Sequence, residues 1–429
     1  MWQKVKNIYH LINAILACLY YGFPSKKMKI IGVTGTNGKT TTTHMIAKIL
    51  EEQGGKVGLS STVIFKIGKK QRINKTKFTT TNSWNFQGFL ADCLKAGCQH
   101  VVAETSSHAL DQNRVWGTFY DLAVITNVTR EHFDYHKNMQ GYRKAKQKLF
   151  KLCAKNKGIL VINTEIDNYQ DFIFSEAKKV IGFNVNSKTR KDKKKSDQPQ
   201  KLKTFDKLMK AKIVKISSKK SVFYLGKHKF ELPAVGLFNI ENAVASIAAA
   251  KGLGFGKKMI AKSLKSFIPV KGRMQEIKND KGFRIIIDYA LTPDSMEKIG
   301  GILKKQTPKS SRFYWIFGSC GNRDRGKRPI MGEIASKYAD HIILTNEDPY
   351  DEDPDQIIKE IYKGTDKTKT KIIKNRKKAI EEALKFAKKG DIVLITGKGA
   401  EENMKIGSRL IDWNDEKAVK NILSHRKNH

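Results

Sequence analysis

The stretch Lys29-Ile-Ile-Gly-Val-Thr-Gly-Thr-Asn-Gly-Lys-Thr-Thr-Thr-Thr43 opens on a β-branched run and ends on Gly-Lys-Thr. Lys29–Thr34 reads as a short buried strand and Lys39–Gln53 as the helix after it. The glycine-rich turn between them is placed to surround phosphate oxygens with backbone N–H groups. In such a loop Lys39 supplies a cation to the outer phosphates and Thr40 a hydroxyl to Mg2+. Gly35, Thr36, Asn37, Gly38, Lys39, Thr40 and Thr41 are therefore candidate nucleotide-binding residues. The spacing departs from the commonest phosphate loop, because Val33 stands five residues before Gly38, where a glycine is usual.

Outward from this loop, helical and strand patterns alternate, which points to a mainly parallel sheet flanked by helices. A strand is expected near Gly58–Ile67, a helix around Trp84–Ala96, and buried strands at His100–Glu104 and Leu122–Asn127. Ser221–Pro233 reads as a hairpin turning at Gly226–Lys227, and Asn239–Gly252 as an alanine-rich helix. Past Ile268–Gly272 a second alternating pattern begins, with strands near Phe283–Asp288, Arg312–Phe317, His341–Thr345 and Asp391–Thr396. The expected fold class is α/β, a central phosphate-loop ATPase domain followed by a Rossmann-like C-terminal domain. The expected divisions are 1–28, 29–268 and 269–429, with 184–220 as a lysine-rich, aperiodic insertion.

The chain carries 82 Lys+Arg against 41 Asp+Glu, a net charge of +41. The excess is spread along the sequence, mostly as lysine, without a helix-turn-helix, zinc-finger or aromatic RNA-binding signature. No specific nucleic-acid partner is expected, and a basic nucleic-acid-binding ATPase stands as the alternative of another class. Cys18, Cys93, Cys98, Cys153 and Cys320 are odd in number and lack metal spacing, which fits a reducing, cytoplasmic setting. Ile8–Tyr21 is apolar, follows Lys4 and Lys6, and is too short to span a bilayer. It reads as a helix packed on the body or one lying on a membrane surface.

Two further segments concentrate ionisable groups. Val102-Ala-Glu-Thr-Ser-Ser-His-Ala-Leu110 puts Glu104 at the end of a hydrophobic strand, where open α/β sheets bind ligands. Thr126-Asn-Val-Thr-Arg-Glu-His-Phe-Asp-Tyr-His136 follows another strand and carries His132. A carboxylate and an imidazole beside a phosphate loop are what a Mg2+–phosphate centre requires.

These segments, in this order, resemble the Mur ligase family, and their wording resembles its MurE type. The resemblance runs from about Lys29 to about Glu402. It implies an ATP-dependent ligase that adds an amino acid to UDP-N-acetylmuramoyl-L-alanyl-D-glutamate through an acyl phosphate, with ATP and Mg2+ as cofactors. It further implies that Lys39 and Thr40 serve ATP and Mg2+, that Glu104 and His132 hold metal, and that Lys146, in Tyr142-Arg-Lys-Ala-Lys146, is carbamylated. From composition alone Lys146 would be taken as a surface residue. By the same resemblance Asn239, Asn242, Arg273, Asp288 and Tyr289 face the nucleotide. Thr80, Thr81, Ser106, Gln112 and Arg114 then face the muramoyl-dipeptide, and Arg323, Asp348, Tyr350, Gly397 and Glu401 the incoming amino acid. The partners implied are the nucleotide-sugar peptide and the amino acid, acting on a monomer.

The sequence also departs from that family. Residues 1–28 stand where the family has a domain for the uridine end, so a folylpolyglutamate synthase-like ligase with another carboxylate acceptor is the alternative. Asn346-Glu-Asp-Pro-Tyr350 carries Tyr350 where diaminopimelate-adding enzymes have an arginine. With Glu347, Asp348, Asp351 and Glu352 near it, lysine is expected over diaminopimelate. Leu291 and Ala400 each replace a usual histidine.

Overall fold

The buried runs at residues 30–34, 101–104 and 122–125 are enclosed on both faces, as strands inside a parallel sheet must be. The computed structural model describes residues 2–186, 205–217 and 219–425. It forms two units, Met1–Val128 with Asn138–Ile268, and Thr129–Lys137 with Pro269–His429.

The strands of the first unit are β1 (Lys29–Thr34), β2 (Val57–Ser60), β3 (Ile64–Ile67), β4 (Lys70–Ile73), β5 (His100–Glu104), β6 (Leu122–Ile125), β7 (Ile159–Asn163), β8 (Lys179–Asn186), β9 (Lys207–Ile216), β10 (Ser221–Leu225) and β11 (His228–Leu232). They make one sheet in the order β11-β10-β9-β8-β7-β6-β1-β5-β2-β3-β4. From β9 to β2 all pairs are parallel. Antiparallel hairpin strands close both edges. Up to the second unit's own elements, the helices are α1 (Trp2–Tyr21), α2 (Lys39–Glu51), α3 (Ser83–Lys95), α4 (Ser107–Asp111), α5 (Phe133–His136), α6 (Met139–Lys155), α7 (Leu237–Gly252) and α8 (Lys257–Lys265), with α5 in the segment that groups with the second unit. Because β1 lies between β5 and β6, the strand order reverses around it. That reversal opens a crevice at the carboxyl ends, where ligands bind in such sheets.

Local chemistry fixes the helix starts. Asn82 and Asn138 cap α3 and α6 by accepting the backbone N–H of Asn85 and Gly141. The alanines of α7 are buried along its length, which lets it pack closely on both α2 and the sheet. The 184–220 stretch departs from expectation. Residues 184–186 finish β8, and Lys207–Ile216 is a strand pairing parallel with it. Met209 and Ala211 face inward between exposed lysines, a period of two that lysine content masks. Residues 187–204 and 218 lie outside the described residues. The strand expected near Gly58–Ile67 is two strands, β2 and β3, paired antiparallel.

The second unit has β12 (Gln275–Ile277), β13 (Arg284–Asp288), β14 (Phe313–Phe317), β15 (His341–Leu344), β16 (Thr370–Ile372), β17 (Ile392–Thr396), β18 (Asn403–Ile406) and β19 (Arg409–Asp412). Its helices are α9 (Pro293–Gln306), α10 (Lys327–Tyr338), α11 (Pro354–Tyr362), α12 (Arg376–Phe386) and α13 (Asp415–His425). The sheet order is β12-β13-β17-β14-β15-β16, parallel except for β12. Thr292 and Ser295 form a reciprocal cap at the start of α9, with Pro293 at its first turn.

Arg376, at the start of α12, locks this unit together. Its guanidinium makes two 2.8 Å bonds to Asp415 and donates to the carbonyls of Thr396 (2.9 Å) and Asn346 (3.3 Å). Both partners of the ion pair are buried. Arg376→Leu leaves Asp415 without its buried counter-charge, and is expected to cost about 3–5 kcal/mol in denaturant unfolding. A loss below about 1 kcal/mol would contradict that account.

Candidate active site

The loop between β1 and α2 has no room for side chains at two positions. A Cβ on Gly35 would stand 1.9 Å from Thr126 Oγ1, and one on Gly38 would stand 2.2 Å from Asn242 Oδ1. Gly38 also holds φ +81°, which disfavours any L side chain. The peptide of Asn37 is held from three directions. Asn127 Oδ1 accepts its N–H at 2.8 Å, while Asn127 Nδ2 and Thr126 Oγ1 donate to its carbonyl at 3.0 and 2.6 Å. Asn242 also accepts the Thr42 hydroxyl at 3.4 Å, and Asn239 Nδ2 donates to the Val235 carbonyl at 2.8 Å.

Two lysines converge on this loop. Lys39 Nζ donates to the carbonyls of Gly35 (3.0 Å) and Thr36 (2.8 Å). Lys146 Nζ, from α6, donates to the same Gly35 carbonyl at 2.8 Å and lies 4.2 Å from the centre of the Tyr142 ring. Lys146 is buried. Two ammonium groups sharing one carbonyl are at most about 6 Å apart, where like charges repel.

Glu104 ends β5, next to β1, and is fully buried. Its carboxylate accepts the N–H (2.8 Å) and hydroxyl (3.0 Å) of Thr62. Among the described residues no ion pair reaches it. The Thr80 hydroxyl donates to the Glu104 carbonyl (2.8 Å) and accepts the Ser106 N–H (3.0 Å). Ser106 caps α4, and Arg114 donates to the Thr80 carbonyl at 3.3 Å with its guanidinium 5.0 Å from the Phe78 ring. Among the described residues Thr81 Oγ1 and Gln112 Oε1 are buried without a hydrogen-bond partner.

In the second unit the carboxyl ends of β13, β14, β15 and β17 bring together acids and one lysine. Lys398, fully buried, spans both oxygens of Asp348 (2.9 and 2.8 Å) and also donates to Glu401. Burial opposes its charge, but Glu401 and Asp348 outweigh burial and hold it above the ordinary lysine range. The Tyr289 hydroxyl donates to Glu401 at 3.1 Å, and the Arg273 guanidinium lies 4.6 Å from the Tyr289 ring. Glu347 is raised by burial and accepts from Cys320 Sγ at 2.9 Å. A Cβ on Gly397, at φ +112°, would stand 2.5 Å from Glu347 Oε2. Arg323 lies 5.6 Å from the ring of Tyr350, which holds a left-handed backbone at φ 52°. The segment carrying His132 is fastened by Glu131, whose carboxylate takes the buried Lys327 ammonium at 3.1 Å.

The Mur ligase middle-domain model matches residues 33–250, and the Mur ligase glutamate-ligase-domain model matches residues 272–399. The chain belongs to the Mur ligase family. It is 37% identical over 418 residues to the UDP-N-acetylmuramoyl-L-alanyl-D-glutamate–2,6-diaminopimelate ligase of Caldanaerobacter subterraneus subsp. tengcongensis, covering 96% of this chain and 81% of the relative. The Aquifex aeolicus protein of the same name is 37% identical over 406 residues, covering 94% and 79%. A solved ligase of that name aligns with TM-score 0.59 at 29% identity, over 93% of this chain and 79% of that one. Mycobacterium tuberculosis folylpolyglutamate synthase aligns with TM-score 0.69 at 15% identity, over 90% and 92%, a likeness of fold alone.

In this Mur ligase chain Gly35 to Thr41, Asn239, Asn242, Glu104 and Lys146 lie in the first unit, with Thr80, Thr81, Ser106, Gln112 and Arg114. His132 lies in the second, with Arg273, Asp288, Tyr289, Arg323, Asp348, Tyr350, Gly397 and Glu401. Among the described residues no three His, Cys, Asp or Glu side chains form a metal-binding group. Three of the acids expected to attract a lysine ammonium have internal partners, whereas among the described residues Glu347 keeps one buried carboxylate oxygen without one. Asp348 serves Lys398 and the Lys405 N–H, Asp351 takes Asn322, and Glu352 takes Arg325 and Arg328. Sequence reasoning passed over Asn127, Thr62, Tyr142 and Lys398 as individual residues. Asn127 and Tyr142 stood inside quoted motifs, whereas nothing local marked Thr62.

Burial pushes Asp288 up to about 6, against the opposing pull of Arg273 and the Met274 N–H. A carboxyl raised in the folded state keeps its proton where the unfolded chain has lost it, so its ionisation from about pH 4 to about pH 7 lowers stability. Asp288→Asn is therefore expected to gain about 3 kcal/mol relative to the parent between those pH values in denaturant unfolding. A difference that does not change with pH would refute the shift.

Proposed function

We infer that this chain is an ATP-dependent, ADP-forming ligase that joins the amine of an amino acid to the D-glutamate carboxylate of UDP-N-acetylmuramoyl-L-alanyl-D-glutamate. The observation that carries the reading is the loop gripped by Asn127 and Asn242, bearing Lys39, in a chain that matches both Mur ligase domains. The diaminopimelate ligases that cover most of the chain support the acceptor and the pathway of peptidoglycan precursor synthesis. The folate-type alternative has support only at the level of fold.

The carboxylate is a poor electrophile. Its oxygen attacks the γ-phosphorus of ATP, the β–γ anhydride breaks, ADP leaves, and an acyl phosphate remains. Lys39 and the loop N–H groups lower the energy of the charge on the transferring phosphoryl group. The amine then attacks the acyl carbon, phosphate departs, and the amine proton is lost. Thr81 and Gln112, with buried polar atoms lacking partners, are suited to hold polar groups of the acceptor. Arg114 and Ser106, tied through Thr80 to Glu104, keep that wall in register with the loop.

Mg2+ fits the residues present. Glu104 is a buried carboxylate bonded only to neutral Thr62 donors among the described residues, and Thr40 adds a hard hydroxyl oxygen. Bound by Glu104 and Thr40, the ion would neutralise phosphate charge, and a carbamate on Lys146 would supply an anionic oxygen for a second Mg2+. Carbamylation turns the Lys146 cation into an anion and removes the repulsion between the two lysines on Gly35. For the amino acid, diaminopimelate is favoured, because the relatives that cover most of the chain are diaminopimelate ligases and Asp348 and Glu352 are engaged internally.

The test is phosphate release with ATP, Mg2+ and the muramoyl-dipeptide acceptor, with the product identified by mass. Diaminopimelate is expected to drive turnover and lysine to do so poorly; the reverse order would reject this choice. Lys39→Ala and Glu104→Ala are expected to lower turnover by about 100-fold or more. Protein stripped of carbon dioxide is expected to regain activity on adding bicarbonate, and indifference to bicarbonate would remove the carbamate.

A further inference from the structure

Helix α1 is apolar on two opposite faces. Ala14, Ala17 and Cys18 are fully buried, and the helix packs on α3. There the Trp84 indole donates to Asn13 Oδ1 at 3.2 Å and Tyr21 meets Trp84 edge-on. At about 100° per residue, Val5, Ile8, Tyr9, Ile12, Leu16, Leu19 and Tyr20 fall in one stripe on the opposite side. All are between 49% and 74% exposed. The body-facing side is filled without them, so folding of this unit does not account for the stripe. The helix contains no acidic residue, and Lys6, Lys26 and Lys27 are exposed near its two ends.

We propose that this stripe docks the protein on an anionic lipid surface, with α1 lying in the plane of the headgroups. The helix is 20 residues long, yet among the described residues no helix is long and apolar enough to cross a membrane. A stripe of this kind lies in the interface. Charge selects lipid over a second copy of the chain, since a net charge of +41 repels another copy and is attracted to anionic headgroups. The aromatic content agrees. Tyr9, Tyr20 and Trp84 are exposed, Tyr20 packs edge-on against Trp84 at 5.6 Å, and such rings favour the boundary between water and hydrocarbon.

The experiment is co-sedimentation of the full chain with vesicles of phosphatidylglycerol and phosphatidylcholine, against phosphatidylcholine alone, in low salt and in about 0.5 M salt. Binding is expected only to the anionic vesicles and is expected to weaken in high salt. The variant Ile8→Ser/Ile12→Ser/Leu16→Ser/Leu19→Ser is expected to lower the partition constant at least about tenfold while unfolding and turnover stay as in the parent. Ile12→Ser and Leu19→Ser alone, each at an exposed site, are expected to shift it in the same direction by less. Failure to bind anionic vesicles, or equal binding by the quadruple variant, overturns the proposal. So does a dimer that the quadruple variant abolishes in a protein that ignores vesicles.

Discussion

The peptide of Asn37 is gripped on both its N–H and its carbonyl by Asn127 and Thr126 at the end of β6, while Gly38 is pressed against Asn242 of α7. This grip is the constraint on which the first unit depends. It requires β6 beside β1, which the parallel pairing supplies, and it requires α7 packed on α2, which the buried alanines permit. A loop held this way has its N–H groups fixed before any ligand arrives, so little ordering remains to be done on binding. Lys146 is drawn into the same construction, because α6 follows β6 and returns along the loop.

The second unit solves a different problem, which is how to keep charges inside a protein. Arg376 with Asp415, Lys398 with Asp348 and Glu401, and Lys327 with Glu131 are each pairs in which burial would be costly for either partner alone. Each also reaches a strand end or the loop beside it. Arg376 holds carbonyls after β15 and at the end of β17, and Lys398 follows directly on β17. Asp348 and Glu352 are thus structural in their first commitments, while among the described residues Glu347 keeps one buried oxygen without a partner.

Much was legible in the strand–loop–helix at residues 29–51, in the alternation of buried runs with amphipathic helices, and in the strand-end position of Glu104. These signals are local, since they depend on backbone φ, on periodicity and on which residues follow a strand. The strand at 207–216 was harder to see because its inward residues are few and small, set between lysines that dominate the composition. Thr62 was invisible for another reason: it meets Glu104 only because β2 and β5 are neighbours.

The phosphate loop, its two obligatory glycines and its lysine were therefore determined by the sequence itself, because a turn without side chains between a strand and a helix leaves few other conformations. Tertiary structure alone decided which groups close around it. The partners of Gly35, Gly38 and Asn37 lie some 90 to 200 positions away, and sheet order, not spacing along the chain, brings them into contact. The same holds for Lys146, whose burial against Gly35 no local pattern announces.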